Sequence, residues 1–329
     1  MIQGLFPAGS ADKLPDMSPV EKWKFTGHTG KVKGVAVDTQ ENVYSAGEDN
    51  TVRKINSSGS QAWSFAGNTD TVRGVAVDTQ GNVYSASDDS TIRKINSSGD
   101  QVWSFTGHRS WVHAVAVDLQ GNVYSVGIDN TVRKINSSGS QVWSFAGNTD
   151  GVYGVAVDLQ GNVYSGGADN TVRKINSSGG QVWSFTGNTD WVYGVAVDTQ
   201  ENVYSAGGDK TVRKINSSGD QVWSFTGHRS WVYAVAVDLQ GNVYSGSADN
   251  TVRKINSSGS QVWSFTEHTN EVRSVAVDLQ GNVYSGGANK TVRKLQQTAD
   301  AILYLSTDKK TPIYCKTIEK SGTDYLVRG

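Results

Sequence analysis

Residues 101–140 read QVWSFTGHRSWVHAVAVDLQGNVYSVGIDNTVRKINSSGS. Four runs within this stretch, at 101–105, 112–117, 122–125 and 131–135, are rich in the β-branched and aromatic residues that favour strands. The segments between them, such as DLQGN and NSSG, are rich in residues that hydrogen-bond their own backbone or tolerate a positive φ, as hairpin turns require. The stretch therefore predicts four short antiparallel strands joined by tight turns.

This unit repeats through most of the chain with a period of 40 residues. A Trp-x-Phe triplet marks each copy, with the tryptophan at positions 23, 63, 103, 143, 183, 223 and 263. A four-stranded unit of about 40 to 45 residues is typical of the blades of a β-propeller, and the unbroken Val-Ala-Val runs fit blades that are buried on both faces. We therefore predict an all-β fold, a seven-bladed β-propeller of four-stranded antiparallel blades over residues 21–295.

The ends of the repeat region predict how the ring closes. Residues 21–25 form a strand with no blade before it, whereas residues 272–295 supply three strands that lack an outer one. We predict that the ring is closed by the N-terminal strand, which completes the seventh blade without a covalent link. Outside the propeller, residues 1–20 are apolar and interrupted by proline, which indicates a docking arm. Residues 296–329 alternate like the strands of a β-rich appendix, with a cap over the seventh blade or a disordered tail as alternatives.

The repeats resemble those of a known family. A Gly-His loop, Val-x-x-Val-Ala-Val-Asp and Asp-Asn-Thr-Val-Arg together resemble the WD-repeat pattern over about residues 21–295. Ile55-Asn56 and its equivalents stand where that family has its Trp-Asp pair, and the histidine is kept only at 28, 108, 228 and 268. The resemblance therefore implies that the family's hydrogen-bond tetrad of His, Asp, Ser or Thr and Trp is incomplete. The segment Asp-x-x-Gly-Asn-Val-Tyr also resembles the repeats of bacterial lactonase-like and quinoprotein-like propellers.

Composition excludes several classes of function. The chain carries 30 basic and 31 acidic residues, a formal charge of -1, so it has no bulk attraction for nucleic acid or for an anionic membrane. Cys315 is the only cysteine, which excludes a disulfide framework and a cysteine-based zinc site. Residues 1–10 lack the pattern of a signal peptide, and no stretch is apolar for long enough to cross a bilayer. We expect a soluble protein, cytoplasmic or assembled into a particle, with no cofactor.

Comparison of the repeats with one another predicts where function lies. The Asp-x-Gln-x-Asn and Asn-Ser-Ser-Gly turns barely change, whereas the Gly-His loop and the Ser-x-x-x-Asp loop differ in nearly every copy. In a four-stranded antiparallel blade these two variable loops lie at the same end of the strands. We call this end of the propeller the diversified face and the opposite end the uniform face. The diversified face is predicted to bind a partner.

One position near the start of each innermost strand carries the strongest functional signal. From blade one to blade seven it reads Lys33, Arg73, His113, Tyr153, Tyr193, Tyr233 and Arg273. Blades seven, one and two thus form a basic arc, and blades three to six form an aromatic arc. Two positions earlier, Lys31 belongs to the basic arc, and the aromatic arc has Trp111, Trp191 and Trp231. Such rings suit peptides or sugars and such cations suit a carboxylate or phosphate, although the aromatics could also simply pack beneath loops.

Other repeated residues are interpreted as structural. The Trp-x-Phe residues recur in all seven copies and are predicted to pack between blades. The Arg-Lys pairs, such as Arg53-Lys54, are predicted to be solvated charges of an outer strand. The histidines of the Gly-His loops are too far apart, and too often replaced by asparagine, to predict a metal site.

These observations predict a non-catalytic recognition scaffold that binds a protein partner or assembly neighbours. A catalytic site needs a singular constellation, whereas this chain repeats its Asp, Ser and Asn residues in nearly every copy, so no catalytic residue is predicted. The alternative is lectin-like binding of a carbohydrate or a cell-surface receptor, for example in a phage tail or injection particle, because Trp and Tyr serve both kinds of ligand. An enzyme of lactonase-like or quinoprotein-like type would need a lone metal or cofactor site in the central channel, for which the sequence offers no candidate.

Overall fold

In the computed structural model, residues 18–297 are described in full, and beyond them the backbone of four short strands is described. The chain divides into two units, one of Glu21–Gln296 and one of Met1–Val20 with Gln297–Gly329. Apart from residues 18–20, the predicted docking arm lies outside the described residues.

The larger unit consists of seven four-stranded antiparallel sheets, as predicted. The chain enters along strand β1 (Val20–Phe25). The first three blades follow, each built from four successive strands. Blade one is β2 (Val32–Val37), β3 (Val43–Gly47), β4 (Val52–Ile55) and β5 (Gln61–Phe65); blade two is β6 (Val72–Val77), β7 (Val83–Ser87), β8 (Ile92–Ile95) and β9 (Gln101–Phe105); blade three is β10 (Val112–Val117), β11 (Val123–Gly127), β12 (Val132–Ile135) and β13 (Gln141–Phe145).

The remaining four blades repeat this arrangement. Blade four is β14 (Val152–Val157), β15 (Val163–Gly167), β16 (Val172–Ile175) and β17 (Gln181–Phe185); blade five is β18 (Val192–Val197), β19 (Val203–Gly207), β20 (Val212–Ile215) and β21 (Gln221–Phe225). Blade six is β22 (Val232–Val237), β23 (Val243–Ser247), β24 (Val252–Ile255) and β25 (Gln261–Phe265); blade seven has β26 (Val272–Val277), β27 (Val283–Gly287) and β28 (Val292–Gln296). The first strand of each blade lies innermost in the ring and the fourth lies outermost.

The ring closes as predicted, because β1 pairs with β28 and becomes the outer strand of blade seven. Glu21 on β1 accepts a hydrogen bond from the guanidinium of Arg293 on β28. The indole nitrogen of Trp23 donates to the carbonyl oxygen of Ser57 at 3.0 Å, which ties β1 to blade one as well. The N-terminal strand therefore joins the last blade to the first.

A repeated set of buried side chains holds each blade to the next. In one such cluster, the fully buried Tyr44 of blade one packs with Val72 and Val83 of blade two, and Trp63 covers it at a ring distance of 6.0 Å. Trp63 also donates from its indole nitrogen to the carbonyl oxygen of Ser97 in blade two, at 3.0 Å. The predicted packing role of the Trp-x-Phe residues is confirmed.

The uniform face is fixed by one carboxylate in each turn. Asp38 Oδ1 accepts hydrogen bonds from the backbone nitrogens of Gln40 and Asn42, at 2.9 and 2.8 Å. Its Oδ2 accepts from the hydroxyl of Tyr44 at 3.0 Å. Because the same side chain caps the turn and satisfies the buried tyrosine, any other residue at this position would leave polar groups unpaired. This requirement explains why the turn hardly varies among the blades.

The variable loops are anchored by a partial version of the expected tetrad. In blade one, His28 bonds through Nδ1 to Asp49 at 2.9 Å and through Nε2 to Ser45 at 2.7 Å. Blades with asparagine in place of histidine use another donor. In blade two, the guanidinium of Arg93 reaches Asn68 Oδ1 at 2.9 Å. The network is therefore kept in altered form without its tryptophan.

The prediction for the Arg-Lys pairs is wrong. These residues lie on the third strand of each blade, not on the outer one. The guanidinium of Arg53 lies 3.5 Å from the carboxylate of Asp49, and the ammonium of Lys54 lies 5.5 Å from the centre of the Tyr44 ring. Since a carboxylate and an aromatic ring flank each pair, these cations stabilise the blades from inside.

The smaller unit contains two short hairpins. Strand β29 (Ile302–Leu303) pairs with β30 (Ile313–Tyr314), and β31 (Thr317–Ser321) pairs with β32 (Asp324–Arg328). Both pairs are antiparallel. Apart from these strands and residues 296–297, the predicted C-terminal appendix lies outside the described residues.

Candidate functional site

A β-bulge near the start of every innermost strand lies at the position that the sequence singled out. In blade one, Val32 pairs with Gly47 and Gly34 pairs with Ala46, so Lys33 has no partner across the ladder. The same shift occurs in all seven blades. A bulge leaves its extra residue out of the ladder and redirects the side chain. The seven bulged residues are Lys33, Arg73, His113, Tyr153, Tyr193, Tyr233 and Arg273.

All seven bulged residues line one cavity of about 460 Å³, which the innermost strands of all the blades surround. Trp111 and Ile128 also line it, and small or aliphatic residues of the innermost strands complete the wall. No aspartate or glutamate of the described residues belongs to the lining. The formal charge of the wall is therefore that of Lys33, Arg73 and Arg273. A cavity of this size is typical of a small-ligand site.

Each cation of the cavity wall is held by a carboxylate that lies outside the lining. The pairs are Lys33 with Glu48, at 2.8 Å, Arg73 with Asp88, and Arg273 with Glu271. Burial lowers the pKa of Lys33, and the hydrogen bond to Glu48 opposes that effect, while the charges of Arg273 and Arg73 lower it further. The ion pairs thus fix the cations while leaving them on the cavity wall.

The aromatic arc is a continuous row of ring contacts. The ring of His113 lies 4.7 Å from that of Tyr153, which lies 5.7 Å from Tyr193, and Tyr193 lies 5.2 Å from Tyr233. The row meets the basic arc where the guanidinium of Arg273 lies 3.9 Å from the centre of the Tyr233 ring. The aromatic arc is therefore continuous from His113 to Tyr233 and contacts the basic arc at Arg273.

The other junction of the arcs lies at blades two and three. The guanidinium of Arg73 lies 5.1 Å from the centre of the Trp111 ring. Burial lowers the pKa of His113 to about 3, and the charges of Arg73 and Lys33 act in the same direction. The histidine is therefore neutral at physiological pH, and its buried Nε2 has no hydrogen-bond partner.

The three tryptophans do not occupy equivalent places. All are 42–49% exposed, but only Trp111 lines the cavity. Trp191 stacks on Tyr153 at 5.5 Å, and Trp231 lies 6.2 Å from Tyr193, both outside the lining. The sequence grouped these rings as one set of anchors, whereas the structure places one of them on the cavity wall and the other two outside it. Lys31, 4.0 Å from Glu48, also lies outside the lining.

Comparisons with known proteins agree with the repeat architecture. A family model described as outer membrane protein assembly factor BamB matches residues 48–166 and 168–300, which is more than half of the chain. The chain belongs to the BamB family. A second family model, described as WD domain, G-beta repeat, matches residues 19–56, so the resemblance to WD repeats is also confirmed for the first repeat. The chain matches no curated protein.

Solved structures show the fold of this BamB-family chain in other proteins. The WD40 β-propeller domain of Doa1 aligns with a TM-score of 0.78 and 22% sequence identity, over 86% of this chain and 98% of that one. At this level of identity the likeness concerns the fold alone.

The sequence comparison missed three carboxylates that pair with the cations of the cavity wall and one residue of the lining. Glu48, Asp88 and Glu271 pair with the cations, and Ile128 lines the cavity beside Trp111. A signal for two of them was present. The position of Glu48 is acidic only in blades one and two, the same blades whose adjacent bulge residue is Lys33 or Arg73. Comparison of paired positions among the repeats could therefore have found these ion pairs.

The described residues bring no group of three or more His, Cys, Asp or Glu together where it could hold a metal ion. The histidines of the Gly-His loops bond instead to a serine of their own blade, as His28 does to Ser45. No helix in the part of the chain that the structure describes has the length and apolar character to span a membrane.

Proposed function

We propose that this protein is a non-catalytic recognition scaffold that binds a protein partner through its diversified face. The observation that carries the proposal is the grouping of Trp111, Trp191 and Trp231 around a cavity lined by aromatic and cationic side chains. Half-exposed tryptophans lose much apolar area on binding, and Trp, Tyr and Arg dominate the energetics of protein interfaces. Propellers of the WD type typically serve as protein-interaction scaffolds, and the description of the matching family names an assembly factor.

The uniform face provides control positions for tests of binding by the diversified face. Its exposed apolar residues are single leucines at the tips of tight turns, namely Leu119, Leu159, Leu239 and Leu279. Single apolar side chains scattered on a surface are normal and do not mark an interface. The uniform face therefore supplies control positions within the same blades.

Site-specific photocrosslinking in the cells that make the protein tests this proposal. A photoreactive phenylalanine analogue replaces either Trp231 on the diversified face or Leu239 on the uniform face of the same blade. We expect a discrete crosslinked protein from position 231 and none from position 239. Crosslinks of equal yield from both positions, or from position 239 alone, would contradict the choice of face.

A carbohydrate ligand is the competing outcome. The full-length protein and a variant with Trp111, Trp191 and Trp231 changed to Ala are applied to a glycan array. Binding that the variant loses, together with no crosslinked protein in cells, would replace the protein partner by a carbohydrate. No glycan binding alongside a crosslink at position 231 supports the proposal.

A further inference from the structure

The cavity of the diversified face has charge of one sign on its wall. Lys33, Arg73 and Arg273 line it, whereas the three carboxylates that pair with them do not. Charges interact more strongly in such a partly enclosed site than in water, because the effective dielectric is lower. A group that enters this cavity therefore meets cations first, which favours an anion.

The part of the cavity next to Arg73 is apolar. Trp111 and Ile128 form this side, and the neutral ring of His113 lies beside them. The Cδ1 atom of Ile128 lies 2.8 Å from where a Cβ on Gly151 would stand. Ile128 thus occupies space that a side chain at position 151 would need, and it extends the apolar wall from Trp111 towards blade four.

The tyrosines that line the same cavity supply hydrogen-bond donors. Burial raises the pKa of Tyr193 to about 12, and the neighbouring Tyr233 and Asp190 add to the shift. The pKa of Tyr153 is raised as well, mainly by burial. Both hydroxyls are therefore protonated at neutral pH and can donate to an acceptor in the cavity.

We propose that the cavity binds a carboxylate of a peptide, with the adjacent apolar side chain of that peptide packed against Trp111 and Ile128. This inference rests on the proposed function, because it names the part of a protein partner that enters the cavity. Arginine and lysine form charge-assisted hydrogen bonds with a carboxylate, which are about twice as strong as those between neutral groups. The volume of about 460 Å³ suits a chain end or a side chain rather than a folded surface.

Calorimetric titration of the full chain with three small probes tests the proposal. The probes are N-acetylphenylalanine, its amide, and N-acetylaspartylphenylalanine amide, whose carboxylate is on a side chain. We expect N-acetylphenylalanine to bind about tenfold more tightly than its amide, because only the acid carries the charge. Tight binding of the third probe would assign the carboxylate to an acidic side chain, and weak binding would assign it to a chain end. If the amide binds as well as the acid, or no probe binds, the proposal is overturned.

Two matched variants separate binding from structure. Lys33→Met removes a cation from the wall and is expected to weaken binding of N-acetylphenylalanine about tenfold. Glu48→Gln removes the carboxylate that lies outside the lining, and is expected to tighten binding, because that carboxylate competes with the ligand for Lys33. Equal losses in the two variants would mean that the ion pair only maintains the fold.

A further pair of substitutions covers the case in which Lys33→Met does not fold. Arg273→Gln combined with Glu271→Gln removes both members of another ion pair and leaves no unpaired carboxylate. We expect the double variant to lose affinity for N-acetylphenylalanine while its circular dichroism stays that of the wild type. Retained affinity would overturn the proposal. A crosslink at position 231 without any preference for the acid probe would overturn this inference and leave the proposed function intact. An acid preference without any crosslink would contradict the proposed function and retain only a carboxylate-binding cavity, without the protein partner.

Discussion

At the scale of single residues, the blades differ in how well the loop histidine is satisfied. In blade one, Asp49 bonds to His28, and hydrogen bonds from that histidine and from Thr51 hold the pKa of the carboxyl well below its ordinary value, against the effect of burial. Blade seven has the neutral Asn289 at the position of Asp49, and the buried Nδ1 of His268 has no hydrogen bond of good geometry, although Asn289 lies close enough to raise the pKa of His268 against the effect of burial. A buried polar atom without a partner costs about 1 to 3 kcal/mol.

Asn289→Asp is therefore expected to stabilise the protein by about 1 kcal/mol at pH 7, because it restores the histidine–aspartate hydrogen bond found in blades one, three and six. Burial lowers the pKa of His268 to about 4, so the unfolded chain binds the proton more readily and stability falls as pH drops from about 6.5 towards 4. The substitution should reduce that loss, because the new carboxylate raises the pKa of the histidine. Urea unfolding at pH 7 and pH 5 measures both effects.

The exposed Asn270→Asp serves as the control, since it makes the same change of charge without touching His268. It is expected to shift stability by less than about 0.5 kcal/mol. A destabilising effect of Asn289→Asp at pH 7 would show that the cost of burying the carboxylate exceeds the gain from its hydrogen bond.

At the scale of single elements, strand β1 has a composition that differs from the outer strands of other blades. In blade one, Arg53 donates to the amide oxygen of Gln61 at 2.7 Å. In blade seven, the equivalent Arg293 meets Glu21, a charged acceptor, at the point where the ring closes. A charge-assisted hydrogen bond is about twice as strong as a neutral one. The hydrogen bond between Arg293 and Glu21, where the ring closes, is therefore stronger than the equivalent bond between Arg53 and Gln61 in blade one.

Removal of β1 is expected to destabilise the propeller by at least about 4 kcal/mol, since two aromatic side chains and a row of ladder hydrogen bonds are lost. The free edge of β28 should also promote aggregation. Thermal unfolding and light scattering of a chain that begins at residue 26 measure both effects, and a chain that begins at residue 18 is the control. If the two chains melt alike, the ring does not depend on this strand.

At the scale of the whole molecule, seven equivalent tyrosines lie fully buried between blades, namely Tyr44, Tyr84, Tyr124, Tyr164, Tyr204, Tyr244 and Tyr284. Each donates its hydroxyl proton to the turn aspartate of its own blade. Burial first, and then the neighbouring aspartate, raise the pKa well above the ordinary value of about 10 for six of them. Because the blade is repeated, the same rise in tyrosine pKa occurs at equivalent positions around the ring.

Alkaline titration is expected to unfold the protein cooperatively. A tyrosine with a raised pKa in the folded state contributes stability below pH 10 that is lost as the pH rises further, and six such groups act together. The absorbance of tyrosinate should therefore stay below the value expected for ionisation of all 13 tyrosines of the chain until circular dichroism shows that the protein has unfolded. Tyr124→Phe is the matched control, because it removes one buried hydroxyl and should raise the pH of unfolding. Full ionisation of all tyrosines in a folded protein would show that the buried hydroxyls are accessible.

Much of the fold could be predicted from the sequence, because each of the seven repeats carries the same pattern of strands and turns. The 40-residue spacing of Trp63 and its equivalents gave the number of blades, and the unmatched strand at 21–25 gave the closure of the ring. Comparison of the repeats also singled out Lys33 and its equivalents. The Arg-Lys pairs were misplaced, because period and polarity do not reveal that an aspartate and a tyrosine ring flank them.

The sequence by itself determined the architecture of this protein and the ring of positions that vary, since both depend on spacing along the chain. Only the tertiary structure decided which of those positions line the cavity and which charges they pair with. A bulge turns Lys33 into the cavity, and Glu48, which comes from the loop between two other strands, holds it from outside the lining. Trp111 lines the cavity while Trp191 and Trp231 lie outside it, although all three have the same place in the repeat. The physical reason is that burial, charge pairing and cavity shape depend on neighbours that the fold brings together from distant parts of the chain.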